Sequence, residues 1–356
     1  MQNMRTFVTI GVAAPLLTCI KVGTFSDMSI GIKDVALLAG VSPATVSRVL
    51  SNGPVSADVR KKVEAAVKSS GYRPNLSARR LRSQHSSTIG LIVSDISNPF
   101  FTTLSRAVED AAYRAELRVV LCNTDENPAR EAMYLRLMDE ERITGVIYAP
   151  TRAMAEELAG MAFSFPIVLV DRGGAAGSLD AVGIDNAEAA GQLVDHLVAQ
   201  GHRRIVGLFG NTSSTARERH DGHAAAMARH GLATDASFLP PHAEAAEAEL
   251  ARRLAAGDRP DALLVSNGQM LLGLYRGLRR AGLETPHDIA IAGFDNEAWT
   301  ELVGPGLTVI EQPVADIGRT AMDLLFERLR RPEMATRKVV LAGRLVTRGS
   351  SGPRGG

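Results

Sequence analysis

The sequence contains few cysteines, few aromatic residues and no long apolar run. Its two cysteines, Cys19 and Cys122, cannot form the disulfide framework that stabilises small secreted proteins. Cys122 lies in an apolar, strand-like run, which predicts a buried residue. No apolar run is long enough to predict a membrane span. These features favour a cytoplasmic protein that does not bind a membrane.

Several enzyme motifs are also missing from the sequence. Neither Gly-x-Ser-x-Gly nor Gly-Lys-Ser/Thr occurs. A dinucleotide site needs Gly-x-Gly-x-x-Gly after the first strand of its domain, but Ser94–Phe100 contains no glycine. His220 and His223 have the spacing of a metal pair but no third ligand cluster, and we interpret them as surface residues of a helix. We therefore expect no enzyme activity, no metal and no cofactor.

The charge is distributed unevenly along a chain of 356 residues, which is long enough for two or three domains. Residues 28–86 hold ten Lys/Arg and three Asp/Glu, a net charge of +7. Residues 87–356 hold 28 Lys/Arg and 35 Asp/Glu, a net charge of −7. A basic head on an acidic body indicates that only the head contacts a polyanion.

Residues 1–27 have features of an export signal. Arg5 precedes the apolar stretch Phe7–Ile20, and Leu16–Cys19 resembles a lipoprotein cleavage site. An exported or lipid-anchored sugar-binding protein is therefore an alternative function. Because the next segment predicts a DNA-binding element, we expect Met28 to be the working start and residues 1–27 to be an unstructured extension.

The segment Ile32–Leu50 predicts two short helices joined by a tight turn. Apolar residues repeat at helical spacing up to Ala39, and Gly40 can leave the helix with a positive φ. Ser42 is a good N-cap, and proline is favoured at the next position. The second helix then turns Val46 and Val49 toward the first helix and exposes a small, singly cationic face comprising Pro43, Ala44, Ser47 and Arg48. Such a face fits a major groove, whereas an ordinary helical hairpin is the alternative.

A third helix and a basic segment follow. Ser56 caps a helix that Gly71 ends, and Pro74 disfavours helix at the residue before it. The segment Leu76–Arg82 is too short to form a stable helix alone, but it can fold on meeting DNA and a partner chain. Leu81, among arginines, suits a wedge in a minor groove, and a flexible basic linker is the alternative.

From Thr88 onward, strand-like runs alternate with amphipathic segments, which predicts parallel sheets with helices on both faces. The runs are Ile89–Val93, Val119–Cys122, Gly145–Tyr148, Ile167–Val170, Ile205–Phe209, Ala262–Val265 and Ile289–Ala292. They are too many for one sheet, so we expect two subdomains that face each other across a cleft. The chain is expected to pass between them near Ile184–Asn186 and to return near Thr308–Pro313.

These motifs together resemble the LacI/GalR family of transcriptional regulators. The head and hinge motifs are Ile32-Lys-Asp-Val-Ala, Val41-Ser-Pro-Ala-Thr-Val-Ser-Arg-Val-Leu, Gly71-Tyr-Arg-Pro-Asn and Ala78-Arg-Arg-Leu. The body motifs are Ile89-Gly-Leu-Ile-Val, Asn98-Pro-Phe-Phe, Val170-Asp-Arg, Gly201-His-Arg-Arg-Ile, Gly293-Phe-Asp and Gln312-Pro. The resemblance extends from Met28 to about Arg348. It implies an all-α helix-turn-helix head and a body of two doubly wound parallel-sheet subdomains, similar to periplasmic sugar-binding proteins.

The resemblance implies particular domain boundaries. The head would span residues 28–73, the hinge helix or linker 74–86, and the effector-binding and dimerisation domain 87–348. Within that domain, one subdomain would comprise about 87–184 plus 311–328, and the other 185–310 plus 329–348. Residues 349–356 would form a flexible tail.

The resemblance also implies binding of a near-palindromic operator in double-stranded DNA by a homodimer. Residues matching Pro43, Ala44 and Arg48 would read bases, and Arg48 could donate two hydrogen bonds to a guanine. The residue matching Leu81 would intercalate in the minor groove. The full set of expected DNA-binding residues is Pro43, Ala44, Thr45, Ser47, Arg48, Asn75, Ala78, Leu81 and Arg82.

By the same resemblance, the cleft would bind a small effector that controls a repressor of carbohydrate-uptake or catabolic genes. The expected effector-binding residues are Asn98, Phe100, Phe101, Asp171, Arg172, Asp185, Arg219, Asn267 and Asp295. Carboxylates and guanidinium groups suit the hydroxyl groups of a sugar. Many relatives have Asn-Asp where this chain has Asn267-Gly268, so one expected carboxylate is missing. The arginines near the cleft are compatible with either a sugar or a sugar phosphate.

Overall fold

The structure, a computed structural model, describes residues 30–50, 53–72, 86–173 and 179–353. The chain separates into two units, Met1–Arg82 and Ser83–Gly356, and each is considered by itself. The expected N-terminal extension, Cys19 and the expected hinge segment lie outside the described residues. No helix within the described ranges is long and apolar enough to cross a membrane.

The described part of the first unit contains three helices around one small core. The helices are α1 (Ile32–Ala39), α2 (Pro43–Leu50) and α3 (Ala57–Ser70). Their buried residues form a single apolar cluster, built mainly from Val35, Val46, Val49 and Val63. Gly40, with φ of 64°, ends α1 as the sequence predicts, and the Ser56 side chain caps α3.

The second unit contains two six-stranded sheets. The first has the order β11-β5-β4-β3-β1-β2, with every neighbouring pair parallel. Its strands are β1 (Thr88–Val93), β2 (Arg118–Asn123), β3 (Gly145–Tyr148), β4 (Ile167–Val170), β5 (Asp180–Ile184) and β11 (Lys338–Leu341). The central strands β1, β3 and β4 are fully buried, as helices on both faces of a parallel sheet require.

The second sheet has the order β12-β10-β9-β8-β6-β7, in which only β12 is antiparallel to its neighbour. Its strands are β6 (Ile205–Gly210), β7 (Asp235–Leu239), β8 (Ala262–Val265), β9 (Ala290–Phe294), β10 (Thr308–Glu311) and β12 (Arg344–Val346). The expected fold class, a helical head with two parallel-sheet subdomains, is confirmed.

Helices connect the strands of both sheets. They are α4 (Pro99–Arg114), α5 (Pro128–Glu140), α6 (Arg152–Glu157), α7 (Asn186–Ala199), α8 (Ser214–Arg229), α9 (Ala243–Ala255), α10 (Gly268–Arg280), α11 (Ala298–Leu302) and α12 (Val314–Arg330). The long helix α12 packs on β3–β5 and on α4, so it belongs to the first subdomain. Cys122 is buried in β2, and burial raises the pKa of its thiol to about 11.

The chain passes between the subdomains three times, as the expected boundaries near residues 184, 310 and 328 imply, but the third passage lies later than expected. Two of them follow β5 and β10 at the predicted positions, and the third joins β11 to β12. The expected assignment of residues 329–348 to the second subdomain is therefore wrong in part, because Lys338–Leu341 pairs with β5 in the first sheet. The Asp180 carboxylate holds the segment before β11 against the first sheet, because it accepts hydrogen bonds from the Arg337 amide and the Arg328 guanidinium.

The apolar runs of the sequence do not predict five of the strands, namely β5, β7, β10, β11 and β12. Most lie at or near sheet edges, where short and partly exposed strands lack a continuous apolar run. The expected flexible tail also differs, since Gly349–Ser351 forms a 3₁₀ turn with a buried Ser350. The Ser350 hydroxyl accepts from the Thr308 amide at 2.9 Å and donates to the Ile291 carbonyl at 2.7 Å.

Candidate functional site

The exposed face of α2 is the candidate DNA-reading surface of the head. Pro43, Ala44 and Arg48 are exposed, Ser47 is half-buried, and Val46 and Val49 are buried against the other helices. The predicted orientation of α2 is therefore the one observed. The face presents one guanidinium among small side chains, which suits close approach to base edges.

Ser42 holds the start of α2 in place. Its hydroxyl oxygen accepts from the Thr45 amide at 3.1 Å, and the two hydroxyl groups lie 2.9 Å apart. Thr45 is half-buried in this N-cap. The other expected DNA contacts, Asn75, Ala78, Leu81 and Arg82, lie outside the described residues and stay predictions.

A polar cleft lies between the two sheets of the body, where the carboxyl ends of their strands face each other. Eight of the nine expected effector residues line it: Asn98, Phe100, Phe101, Asp171, Arg172, Arg219, Asn267 and Asp295. Residues that the sequence reasoning missed also line it, including Asp95, Glu126, Ser213, Thr215, His242, Ser266 and Gln312. In a doubly wound fold, this is the expected position of a ligand.

Asp185 does not line the cleft, so its expected place there is wrong. Its carboxylate caps α7 by accepting from the Glu188 amide at 2.9 Å. It lines a separate cavity beside Glu188, Gln192 and the segment after β11. The physical reason is strand order: β5 lies two strands away from β3 and three from β1, toward the β11 edge of the sheet.

Arg172 is held by a carboxylate that the sequence reasoning missed. Its two terminal nitrogens donate to the two carboxylate oxygens of Glu126 at 2.8 and 2.5 Å, and one also donates to the Pro150 carbonyl. Both side chains of the pair are more than nine-tenths buried. Burial alone would raise the pKa of Glu126, but the Arg172 charge outweighs it and lowers the pKa below its usual value.

Arg219, in α8, keeps part of its guanidinium available. Nε donates to the Asn186 side chain at 2.9 Å, and Nη1 donates to the Ser266 carbonyl at 2.5 Å. The group stacks 3.8 Å from the centre of the Phe294 ring. Nη2 is buried and has no hydrogen-bond partner among the residues described. A buried donor of this kind indicates a ligand or water on that side.

Asp295 follows β9 in the same subdomain as Arg219 and organises the wall beside it. It accepts from Gln312 Nε2 at 2.7 Å and from the Gly268 amide at 2.9 Å. A side chain at Gly268 would meet Asp295 Cβ at 3.2 Å and overlap the Glu297 carboxylate. Because residue 268 is glycine and not the aspartate of many relatives, the Glu297 carboxylate can occupy the space that a side chain there would take.

Three acidic residues of the cleft have a left-handed backbone. Glu126, Asp171 and Asp295 have φ values of 56°, 62° and 74°. This conformation is uncommon outside glycine, and it concentrates at functional sites. Burial raises the pKa of the Asp171 carboxyl, although the Arg172 and Arg219 charges oppose this shift.

The cleft is closed in this structure. Gln269 Nε2 in the second subdomain donates to the Ser97 carbonyl of the first at 3.0 Å, and the Arg152 amide donates to the Thr212 carbonyl at 2.9 Å. The remaining space is only about 50 Å³, whereas ligand pockets usually measure ~300–1,000 Å³. A ligand larger than one or two waters therefore requires the subdomains to separate.

A second, more open cavity of about 1020 Å³ adjoins the cleft. Phe100, Asp295 and Gln312 line both spaces. Its size comes from openness to solvent beside α11 and the start of α12, and the closed cleft has the denser convergence of buried polar groups. We therefore place the principal site in the cleft.

The expected surface position of His220 and His223 is wrong for His223. Its side chain is fully buried, with Nε2 at 3.3 Å from the Ile205 carbonyl. His220 instead lies 2.9 Å from Asp221. The described residues contain no group of three or more metal-ligating side chains that could hold a metal ion.

A helix-turn-helix head joined to a two-lobed α/β body with a polar cleft defines the class of ligand-responsive DNA-binding regulators. Two family descriptions match: bacterial regulatory proteins of the lacI family over residues 31–75, and the periplasmic binding protein-like domain over residues 194–351. Neither description is that of an enzyme.

Full-length relatives support the same class. The HTH-type transcriptional repressor PurR of Photobacterium profundum is 34% identical, covering 90% of this chain and 98% of the relative. The ribose operon repressor of Escherichia coli is 34% identical, covering 90% and 99%. The Lac repressor dimer bound to operator and an anti-inducer has a TM-score of 0.80 at 26% identity, covering 91% and 99%.

The chain belongs to the LacI family of transcriptional regulators, as the sequence motifs indicate. It is a DNA-binding repressor with a ligand-binding body.

Proposed function

We propose that this repressor controls genes of carbohydrate uptake or catabolism in response to a small sugar-like effector bound in the cleft. The observation that carries the effector proposal is that two buried polar atoms of the cleft, Arg219 Nη2 and Gln312 Oε1, have no hydrogen-bond partner among the described residues. A guanidinium donor and an amide acceptor in the same cleft match the oxygen and hydrogen of sugar hydroxyls. Phe100 and Phe101 add apolar ring surface beside them.

The head would bind a near-palindromic operator as a homodimer in the cytoplasm. The charge of +7 on residues 28–86 supports binding of a polyanion, and the outward face of α2 supports base reading. The body leaves large apolar side chains exposed beside its first sheet, among them Tyr113, Val120 and Leu121. Apolar surface of this kind supports association with a second copy of the chain.

Effector binding would act through the subdomain geometry. The ligand requires the closed cleft to open, and its contacts then favour one relative position of the two subdomains. The segments after β5, β10 and β11 connect the two subdomains, so a change in subdomain position would alter the spacing of the two heads.

The test measures operator and effector together on the intact chain. Operators are selected from random DNA, and a sugar panel is screened by thermal shift and then by its effect on operator affinity. We expect one sugar class both to stabilise the protein and to change operator affinity severalfold.

Arg219→Met should abolish the thermal response, because it removes the available guanidinium donor. Arg229→Met is the matched control, since this arginine of the same helix is exposed and pairs with Asp195. A chain that selects no palindromic DNA, or a sugar response that survives Arg219→Met, would contradict the proposal.

A further inference from the structure

The buried charges of the cleft constrain what the effector can be. Its lining carries four carboxylates, Asp95, Glu126, Asp171 and Asp295, and two guanidinium groups, Arg172 and Arg219. His242, at the exposed rim, is the other titratable group of the lining. The formal charge of the cleft with neutral histidine is thus negative, although two arginines suggest an anion site.

Arg172 cannot act as an anion receptor while Glu126 is ionised. Both of its terminal nitrogens donate to Glu126, and its Nε lies 3.6 Å from the Asp171 carboxylate. The Arg172–Glu126 pair is buried together. A bidentate arginine–carboxylate pair satisfies the directions in which a phosphate would bind. A phosphate would therefore have to displace Glu126 and leave that carboxylate buried without its partner, which is strongly unfavourable.

Arg219 has too few available donors to replace Arg172. Nε and Nη1 are engaged by Asn186 and Ser266, so only Nη2 points to a ligand. One terminal nitrogen suits a hydroxyl or ring oxygen, whereas a phosphate dianion presents three charged oxygens. Asp171 and Asp295 would also repel that dianion at low dielectric.

The adjoining cavity offers no alternative place for a phosphate. Its arginine, Arg344, donates through Nε and Nη2 to Glu311 at 2.8 and 2.5 Å. Glu297 and Asp316 add further carboxylates to that lining. In each of the two spaces, one arginine is therefore paired with an acid.

We propose that Glu126 is a specificity-determining residue that restricts the effector to uncharged, polyhydroxylated molecules and excludes their phosphorylated forms. The proposal rests on the proposed function, in which the cleft binds a sugar-like effector. Carboxylates that accept hydroxyl hydrogens, together with one guanidinium donor, match a neutral polyol. Because Glu126 binds the Arg172 guanidinium, that second guanidinium does not add an anion-binding group to the cleft.

The test compares matched pairs of probes on the intact chain at constant ionic strength. The probes are D-ribose and D-ribose 5-phosphate, D-glucose and D-glucose 6-phosphate, and inorganic phosphate. Calorimetry and thermal shift are measured on the wild type, on Glu126→Gln and on Glu131→Gln. Glu131 is the matched control, because it is also a buried carboxylate of the first subdomain but accepts from Thr151 instead.

We expect the wild type and Glu131→Gln not to bind the phosphorylated probes or phosphate. Glu126→Gln should bind at least one of them tenfold or more tightly than the wild type. Equal or tighter binding of a sugar phosphate than of its free sugar by the wild type would overturn the proposal, whether or not the variant folds.

A folded Glu126→Gln without any gain would also overturn it. A gain in Glu126→Gln, with no free sugar bound by the wild type, would support the role of Glu126 and count instead against the sugar-effector function.

Discussion

At the scale of single residues, two buried arginines of one cleft have different tasks. Arg172 donates to Glu126 and stiffens the wall, while Arg219 retains a donor nitrogen toward the ligand space. The difference arises from their partners, since one arginine faces a carboxylate and the other faces neutral oxygens. Ligand preference thus depends on the partners of each arginine and not on their number.

His223 gives a prediction about pH. Its ring is fully buried in α8, and burial lowers its pKa from the ordinary 6.5 to about 4. Below about pH 6.5, His223 is protonated in the unfolded chain but stays neutral in the folded chain. The free energy of unfolding therefore decreases as the pH falls from 6.5 toward 4. For this residue we expect a loss of about 2 kcal/mol between pH 7.5 and pH 5.

The measurement is urea unfolding of the wild type and His223→Gln at these two pH values. Trp299, the only tryptophan of the chain, reports on the body alone by fluorescence. His223→Gln should show a pH dependence smaller by that amount, even if its stability at pH 7.5 is lower. Equal pH dependence in both proteins would contradict the buried, neutral state of His223.

At the scale of elements, a substitution in α2 can distinguish base recognition from phosphate binding. Arg48 is the only charged residue of this helix and lies on its exposed face. Arg48→Lys keeps the charge but removes the paired donors that guanine recognition needs. We expect a loss of about ten- to a hundredfold in operator affinity, from the ~1–3 kcal/mol that a bidentate base contact contributes.

Affinity for unrelated DNA provides the internal control, because the charge is retained. Gel shifts on operator and random duplexes at one salt concentration measure both quantities. A parallel loss on both duplexes would show that Arg48 does not read bases, and an unchanged operator affinity would remove it from the reading face.

At the scale of the whole molecule, the body consists of two subdomains closed around one cleft. Its subdomains are joined by three passages of the chain, and side-chain contacts such as Gln269 to Ser97 close the cleft between them. If operator DNA and effector favour different positions of the subdomains, each must change the affinity of the other by the same factor.

The exposed apolar side chains beside the first sheet predict the dimer surface. β2 is an edge strand of that sheet, and Leu121 in it is 43% exposed. We expect Leu121→Asp to weaken dimerisation at least tenfold, because it places a charge in an apolar contact. Met161→Asp is the control, since Met161 is similarly exposed elsewhere on the same subdomain.

Sedimentation equilibrium of the intact variants measures the effect, and thermal unfolding confirms that they remain folded. An unchanged dimer in Leu121→Asp, or equal weakening by Met161→Asp, would place the interface elsewhere.

The sequence by itself determined the helices of the head, the face that α2 exposes, the strand–helix alternation of the body and eight residues of the cleft. These features depend on local periodicity, capping residues and the ends of buried strands, which are properties of neighbouring residues. Arg48 and Asn98 could be assigned in this way because their own helices orient them.

Only the tertiary structure decided which distant residues meet. Glu126 joined the cleft because a left-handed turn after β2 aims it at Arg172, and Asp185 left it because β5 lies toward the far edge of its sheet. The position of the third passage, the edge strands and the buried state of His223 have the same origin. Each depends on contacts between residues far apart in the chain, for which local sequence carries no periodic signal.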